Sequence, residues 1–345
     1  MSKTKIEWCD FTINPVVGCS HCSPGCDNCY AERFAARLVQ HPNPAISGKY
    51  SAVVGADGKW NGKIYSDARD MKIPSAKRVG PKRIFIGSMC DMFHPSLSWV
   101  ARDHILYTIG QHPAHTFIFL TKRAELMQEA MSRPKYLTDD GQPLPNLWLG
   151  VTVCNQQEAN EKIPILLQTP AAKRGVCVEP MLGPVDLEAV SFTHSPGFFG
   201  SALRWHHLPH CRRAELADGA VYPHLDWVIA GGESGPGARP MHPNWVRSLR
   251  DQCQEAGVPF FFKGWGEYIT VESIGRDDRY EDIPLRLRSS GIDVKSILKK
   301  KGGYLKKGTK DWCEIAPGLR GQACPVGKRR AGRLLDGREW NEAPS

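Results

Sequence analysis

Four cysteines crowd one short segment, Gly18-Cys19-Ser-His-Cys22-Ser-Pro-Gly-Cys26-Asp-Asn-Cys29-Tyr30. Soft thiolates this close together let a single loop wrap a compact ion or an inorganic cluster. Two ligand trios are available. Cys22, Cys26 and Cys29 have the spacing Cys-x3-Cys-x2-Cys, and Cys19, Cys26 and Cys29 have Cys-x6-Cys-x2-Cys. Three thiolates on a four-iron cluster leave one iron open to bind a small molecule and pass it an electron. The alternative is one zinc ion held by all four sulfurs. Cys19/Cys22 and Cys26/Cys29 do form knuckle-like pairs, but only three residues separate them, and zinc ribbons join their knuckles by a longer span. The spacing therefore favours iron–sulfur. The chain has 12 cysteines and opens Met1-Ser-Lys-Thr-Lys-Ile-Glu-Trp8, without the apolar stretch of a signal peptide. A cytoplasmic, reducing setting is expected, where clustered thiols bind metal more often than they pair as disulfides.

Recurrent strands must position such a loop. Short β-branched and aromatic runs begin near residue 83: Arg83–Gly87, Thr116–Leu120, Leu147–Val153, Gly175–Glu179, Trp227–Ala230 and Pro259–Lys263. Each reads as a strand buried on both faces, as parallel strands are. Helices are expected over Ala31–Val39, Ser98–Gln111, Ala124–Met131, Asn155–Gln168 and Asn244–Ala256. Asn155 with Glu158 resembles a capping box, Pro164 predicts a kinked or split helix, and Gly257 is a stop signal. With one more strand at Ile13–Val17, about seven βα units result, which predicts a full or partial parallel (β/α) barrel over a doubly wound sheet. The barrel spans 1–267, with an insertion at 187–224 and a basic C-terminal extension at 268–345. Residues 42–80 read as loop.

The Cys segment follows the first strand, at the end where barrels build their sites. Polar residues follow the other strands too: Ser88 and Asp91, then Lys122 and Arg123, Glu179, Gly231-Gly232-Glu233-Ser234, and Lys263 with Trp265. Lys122, Glu179 and Lys263 are candidate catalytic residues, holding the substrate or a cofactor carboxylate. Ser88, Asp91 and Gly231 to Ser234 are candidates for a cofactor, since two glycines allow close backbone approach and a carboxylate takes an ammonium. Taken singly, Arg123 and Trp265 each read as a surface loop residue or a helix cap. His206-His-Leu-Pro-His210-Cys211 reads as loop.

The composition is globular, with 41% hydrophobic and 23% charged residues, which excludes a disordered chain or a coiled coil. No uncharged apolar run is long enough to span a bilayer, so no membrane is expected. Residues 295–338 hold 13 Lys/Arg against 3 Asp/Glu, whereas the rest of the chain is nearly neutral. That segment is a candidate phosphate or nucleic-acid contact, or a solvated tail.

The chain resembles the phage Gp37/Gp68-like family (three-Cys-motif proteins, DUF5131). The likeness rests on Ile6–Asp10, Asn14–Cys19, Ser23–Ala31, Ser88–His94, Leu120–Arg123, Gly231–Pro240, Pro259–Gly266 and Gly332–Arg338, which cover most of the chain. The family pattern implies Cys19, Cys26 and Cys29 as ligands, with Cys22 an extra thiol and an alternative first ligand. The Cys-x3-Cys-x2-Cys spacing also resembles radical SAM enzymes, which have a Gly-Gly-Glu element near the second strand. Here Gly231-Gly232-Glu233 lies far downstream, and Ser88 to Asp91 occupies that position. This resemblance implies a 4Fe-4S cluster, S-adenosylmethionine, an external electron donor and reductive cleavage of the sulfonium, but supplies no substrate; the basic segment at 295–338 points to a nucleotide or nucleic acid, and a partner protein is a further expectation. The rival expectation is a zinc-stabilised, non-catalytic nucleic-acid-binding protein; a structural phage protein is a third.

Overall fold

A computed structural model describes all residues except 1, 5, 196–197, 204–223, 273–311, 317–318, 326 and 345. The main sheet has seven parallel strands: β1 (Phe11–Ile13), β2 (Arg83–Ile86), β3 (Thr116–Thr121), β4 (Leu147–Val153), β5 (Lys173–Val178), β6 (Trp227–Gly231) and β7 (Phe260–Gly264). Their spatial order equals their chain order. With no reversal there is no switch point as in a doubly wound sheet, and the sheet curls into a half-barrel. The partial barrel is thus the architecture seen. Helices α1 (Tyr30–Leu38), α2 (Trp99–Gly110), α3 (Ala124–Met131), α4 (Gln156–Gln168) and α5 (Pro243–Ala256) provide crossovers.

Alternation along the strands separates two faces. Ile84, Ile86, Phe117, Phe119, Leu149, Val151, Val176, Val178, Val228, Phe260 and Phe262 belong to the large core shared with the helices. Phe85, Ile118, Cys177, Trp227, Ile229 and Phe261 turn the other way and pack with Trp8 from the N-terminal segment. Trp8 lies 4.9 Å from Phe85 and 5.9 Å from Trp227, ring centre to ring centre. The concave side is therefore floored by aromatic rings.

Both sheet edges are covered by the chain ends. Ser2–Lys3 pairs antiparallel with β1. At the other edge, Phe262 N–H donates to Trp340 O at 2.9 Å and Glu342 N–H to Phe260 O at 3.2 Å. Such covers satisfy exposed edge groups.

Several expectations are corrected locally. The strand expected over 13–17 divides: Phe11–Ile13 joins the main sheet, while Val16–Val17 pairs with Tyr65–Ser66. Pro164 does not split α4, whose Asn155 cap accepts from Glu158 N–H at 2.9 Å. Residues 42–80 contain helices at Pro44–Ser51 and Ala76–Val79. Asn43 caps the first of these and Pro44 opens it, which are ordinary start signals. The insertion forms a hairpin, Ser191–Ser195 with Phe198–Ser201. His206, His207, His210 and Cys211 lie outside the described residues, as does 295–311 of the basic segment.

Candidate functional site

The strand ends that follow the aromatic floor open into one cavity of about 200 Å³, with room for a small organic group. Its wall includes Cys19, Cys22, Cys26, Cys29, Ser88, Asp91, Lys122, Glu179, Gly232, Glu233, Ser234 and Lys263. The structure thus gathers the Cys segment with the polar residues from five later strand ends. Gly231 borders the same place, beside Lys263 and Glu179.

The Cys loop begins at Gly18, whose φ of +103° and a would-be Cβ only 2.2 Å from Lys63 O exclude a side chain there. Ser23 then caps a short 3-10 turn, Pro24–Cys26, accepting from Gly25 N–H at 3.1 Å. Cys29 stands at the N-cap of α1. That helix buries Ala31 and Ala35 against Val17, Tyr50, Val53 and Met89, which fixes the exit of the loop.

Two arginines pin the loop from opposite sides. Arg123 Nη2 donates to Ser20 O and Oγ, both at 2.9 Å, and Nη1 approaches Cys19 Sγ at 3.8 Å. Asp91 holds Arg123 at 2.9 Å and also accepts from Thr121 Oγ1 at 2.7 Å. Across the loop, Arg239 Nε and Nη2 grip Glu233 at 2.9 and 2.6 Å, and Arg239 reaches Pro24 O and Asp27. Asn28 Nδ2 donates to Glu233 Oε2 at 3.0 Å. Asp91 and Glu233 therefore already have charge partners, so neither offers the open carboxylate expected for an ammonium. Arg123 does stand at the N-cap of α3, but its side chain is buried in this network and not on the surface. The role of Arg123 was not distinguishable in sequence, since Ser20 and Asp91 lie far away along the chain; Arg239 was missed although Glu233 is only six residues from it.

The glycines also have packing reasons. A Cβ on Gly232 would meet Trp265 O at 2.2 Å, so this position serves backbone crossing rather than ligand approach. A Cβ on Gly231 would press Lys263 Cβ at 3.3 Å and Glu179 Cδ at 3.5 Å. Its absence makes room for the interior ion pair Lys263 Nζ–Glu179 Oε1 at 2.6 Å. Ser88 exchanges hydrogen bonds with Asn14 and joins the ends of β1 and β2.

The thiols differ in charge. Cys26 is pushed down to about 5 because Cys22 donates a hydrogen bond to it; burial opposes this and the Lys122 ammonium assists. The same bond holds the Cys22 proton in place, raising that thiol. Burial raises Cys19 to about 11 and Cys177 to about 12. Burial disfavours the Lys122 ammonium, yet the sulfurs of Cys26, Cys29 and Cys177 outweigh it and raise the pKa.

By donor type and shared wall the cysteines suit a soft metal group. Among the described residues no three His, Cys, Asp or Glu groups are gathered around a point for a single ion. A zinc ion would need four sulfurs about 3.8 Å apart. A four-iron cluster spreads its thiolates over separate irons. No helix among the described residues is long and apolar enough to cross a membrane.

No curated protein and no solved structure matches the chain. A family described as "Protein of unknown function (DUF5131)" matches residues 3–344, and the chain belongs to that DUF5131 family.

Proposed function

We propose that the chain is a radical SAM-like iron–sulfur enzyme, with Cys19, Cys26 and Cys29 as the ligands. The observation that carries this reading is that these thiols, on one pinned loop, share a cavity wall with Lys122, Glu179 and Lys263 at the mouth of a parallel half-barrel. When bound, a 4Fe-4S cluster supplies an electron for reductive cleavage of S-adenosylmethionine. The chain's own part is positioning and shielding. Arg123 directs its guanidinium at Cys19, so the loop is held before any ligand arrives. Trp8, Phe85 and Leu120 line the cavity with apolar surface, which excludes water from a reactive site. Lys122 and the Lys263–Glu179 pair supply polar contacts for ligand. Cys22 is exposed and its thiol is hydrogen-bonded to Cys26, which supports Cys19 over Cys22 as first ligand.

The test is an S-adenosylmethionine cleavage assay on anaerobically reconstituted, reduced protein. The reading requires 5′-deoxyadenosine and methionine, lost when Cys26 or Cys29 becomes Ala. Cleavage absent from protein that carries a full cluster contradicts it.

A further inference from the structure

We propose that the organic ligand of this cavity carries an anionic group, a carboxylate or a phosphate, and that Lys122 receives it. This names a ligand class for the site above and rests on that cavity being a ligand site.

The argument is charge accounting on the wall. Three carboxylates line the cavity, and each has its own cation: Asp91 has Arg123, Glu179 has Lys263, and Glu233 has Arg239. Lys122 is left over. It lines the cavity, with its Cε 3.5 Å from the Cβ position of Gly25. Among the described residues its ammonium has no carboxylate partner within ion-pair distance. Its opposite charge comes from the neighbouring Cys26, Cys29 and Cys177 sulfurs and, more distantly, Asp91, and an incoming anion would give the ammonium a direct charge-assisted hydrogen bond.

The strand beneath tells what the anion is attached to. Leu120 precedes Lys122 by two residues and turns to the same concave face, with Phe85 and Trp8 alongside. An anion on Lys122 therefore stands over a flat apolar floor, and the ligand is an anion joined to a ring or similar apolar body. The Lys263–Glu179 pair, already closed, adds a polar contact but no net charge.

The rival role for Lys122 is as counter-ion to the nearby thiolates. Titration calorimetry on the full-length, anaerobically purified chain separates the two. The probes are two matched pairs, AMP against adenosine and nicotinate against nicotinamide. The expected result is that at least one anion binds about tenfold or more tighter than its neutral partner, the size of a charge-assisted hydrogen bond. The pair that shows the preference distinguishes phosphate from carboxylate. Lys122→Met removes the preference without weakening the neutral partner, and Lys122→Arg keeps it. Thermal melts verify that both variants fold. No charge preference in the wild type, or a preference that survives in Lys122→Met, overturns the inference. Loss of bound iron in Lys122→Met with an intact anion preference assigns the lysine to the thiolates and overturns it too. A charge preference in a chain that binds no iron upholds this inference while removing the enzymatic reading.

Discussion

Lys263 and Glu179 meet at 2.6 Å inside the half-barrel, over the bare backbone of Gly231. Both side chains are largely enclosed, 17% and 22% exposed. Removing one partner strands the other charge. Lys263→Met is expected to lower stability by about 1–3 kcal/mol. A double-mutant cycle with Glu179→Gln in urea melts checks this: the double variant should recover part of the loss, and strictly additive losses would show that the pair is not coupled.

Gly232 faces a harder limit, because the atom a side chain would strike is backbone. Gly232→Ala should cost about 2–4 kcal/mol, read as a fall in the urea midpoint at unchanged slope. Gly48, with nothing within 4 Å of its Cβ position, is the control, and Gly48→Ala should be neutral or mildly stabilising, since it sits in a helix.

Only a thiolate attacks an alkylating or disulfide reagent. In metal-free, reduced protein at neutral pH, Cys26 should therefore react with a small methanethiosulfonate before Cys19 or Cys177. Peptide mapping after brief labelling reads the order. Cys22→Ser removes the thiol donor that lowers Cys26, so its labelling onset should move to higher pH. An unchanged onset would show that Cys22 does not hold the Cys26 charge.

Acid should loosen the loop through Glu233. Burial alone would raise its pKa, but the Arg239 and Asn28 hydrogen bonds outweigh it and the folded value lies below the ordinary 4.5. The unfolded chain thus takes up this proton first. The stabilisation is complete above the ordinary carboxylate range and is lost as pH falls through the depressed folded value. Melts from pH 6 downward should show this loss, and Glu233→Gln should flatten that part of the profile.

Much of the frame was legible in the chain because parallel strands buried on both faces leave uninterrupted apolar runs, and Thr116–Thr121 and Leu147–Val153 are such runs. The gathering of Lys122, Glu179 and Lys263 was legible too, because each stands at a strand's C-terminal end. What could not be read was pairing across the sequence. Glu233 and Arg239 lie six residues apart, yet their purpose is to hold Asp27 and Asn28, more than 200 residues away. Gly231-Gly232 looked like a ligand cradle, but its spaces are filled by Lys263, Glu179 and the Trp265 backbone. The helix at Pro44–Ser51 was hidden by a weakly patterned sequence with an interior glycine.

The most direct measurement is iron and acid-labile sulfide content of the full-length chain after anaerobic reconstitution, beside Cys19→Ala, Cys22→Ala and Cys26→Ala. About four irons and four sulfides per chain are expected in the wild type and in Cys22→Ala, with loss in the other two. One zinc per chain with no iron, or iron that survives Cys26→Ala, contradicts the account.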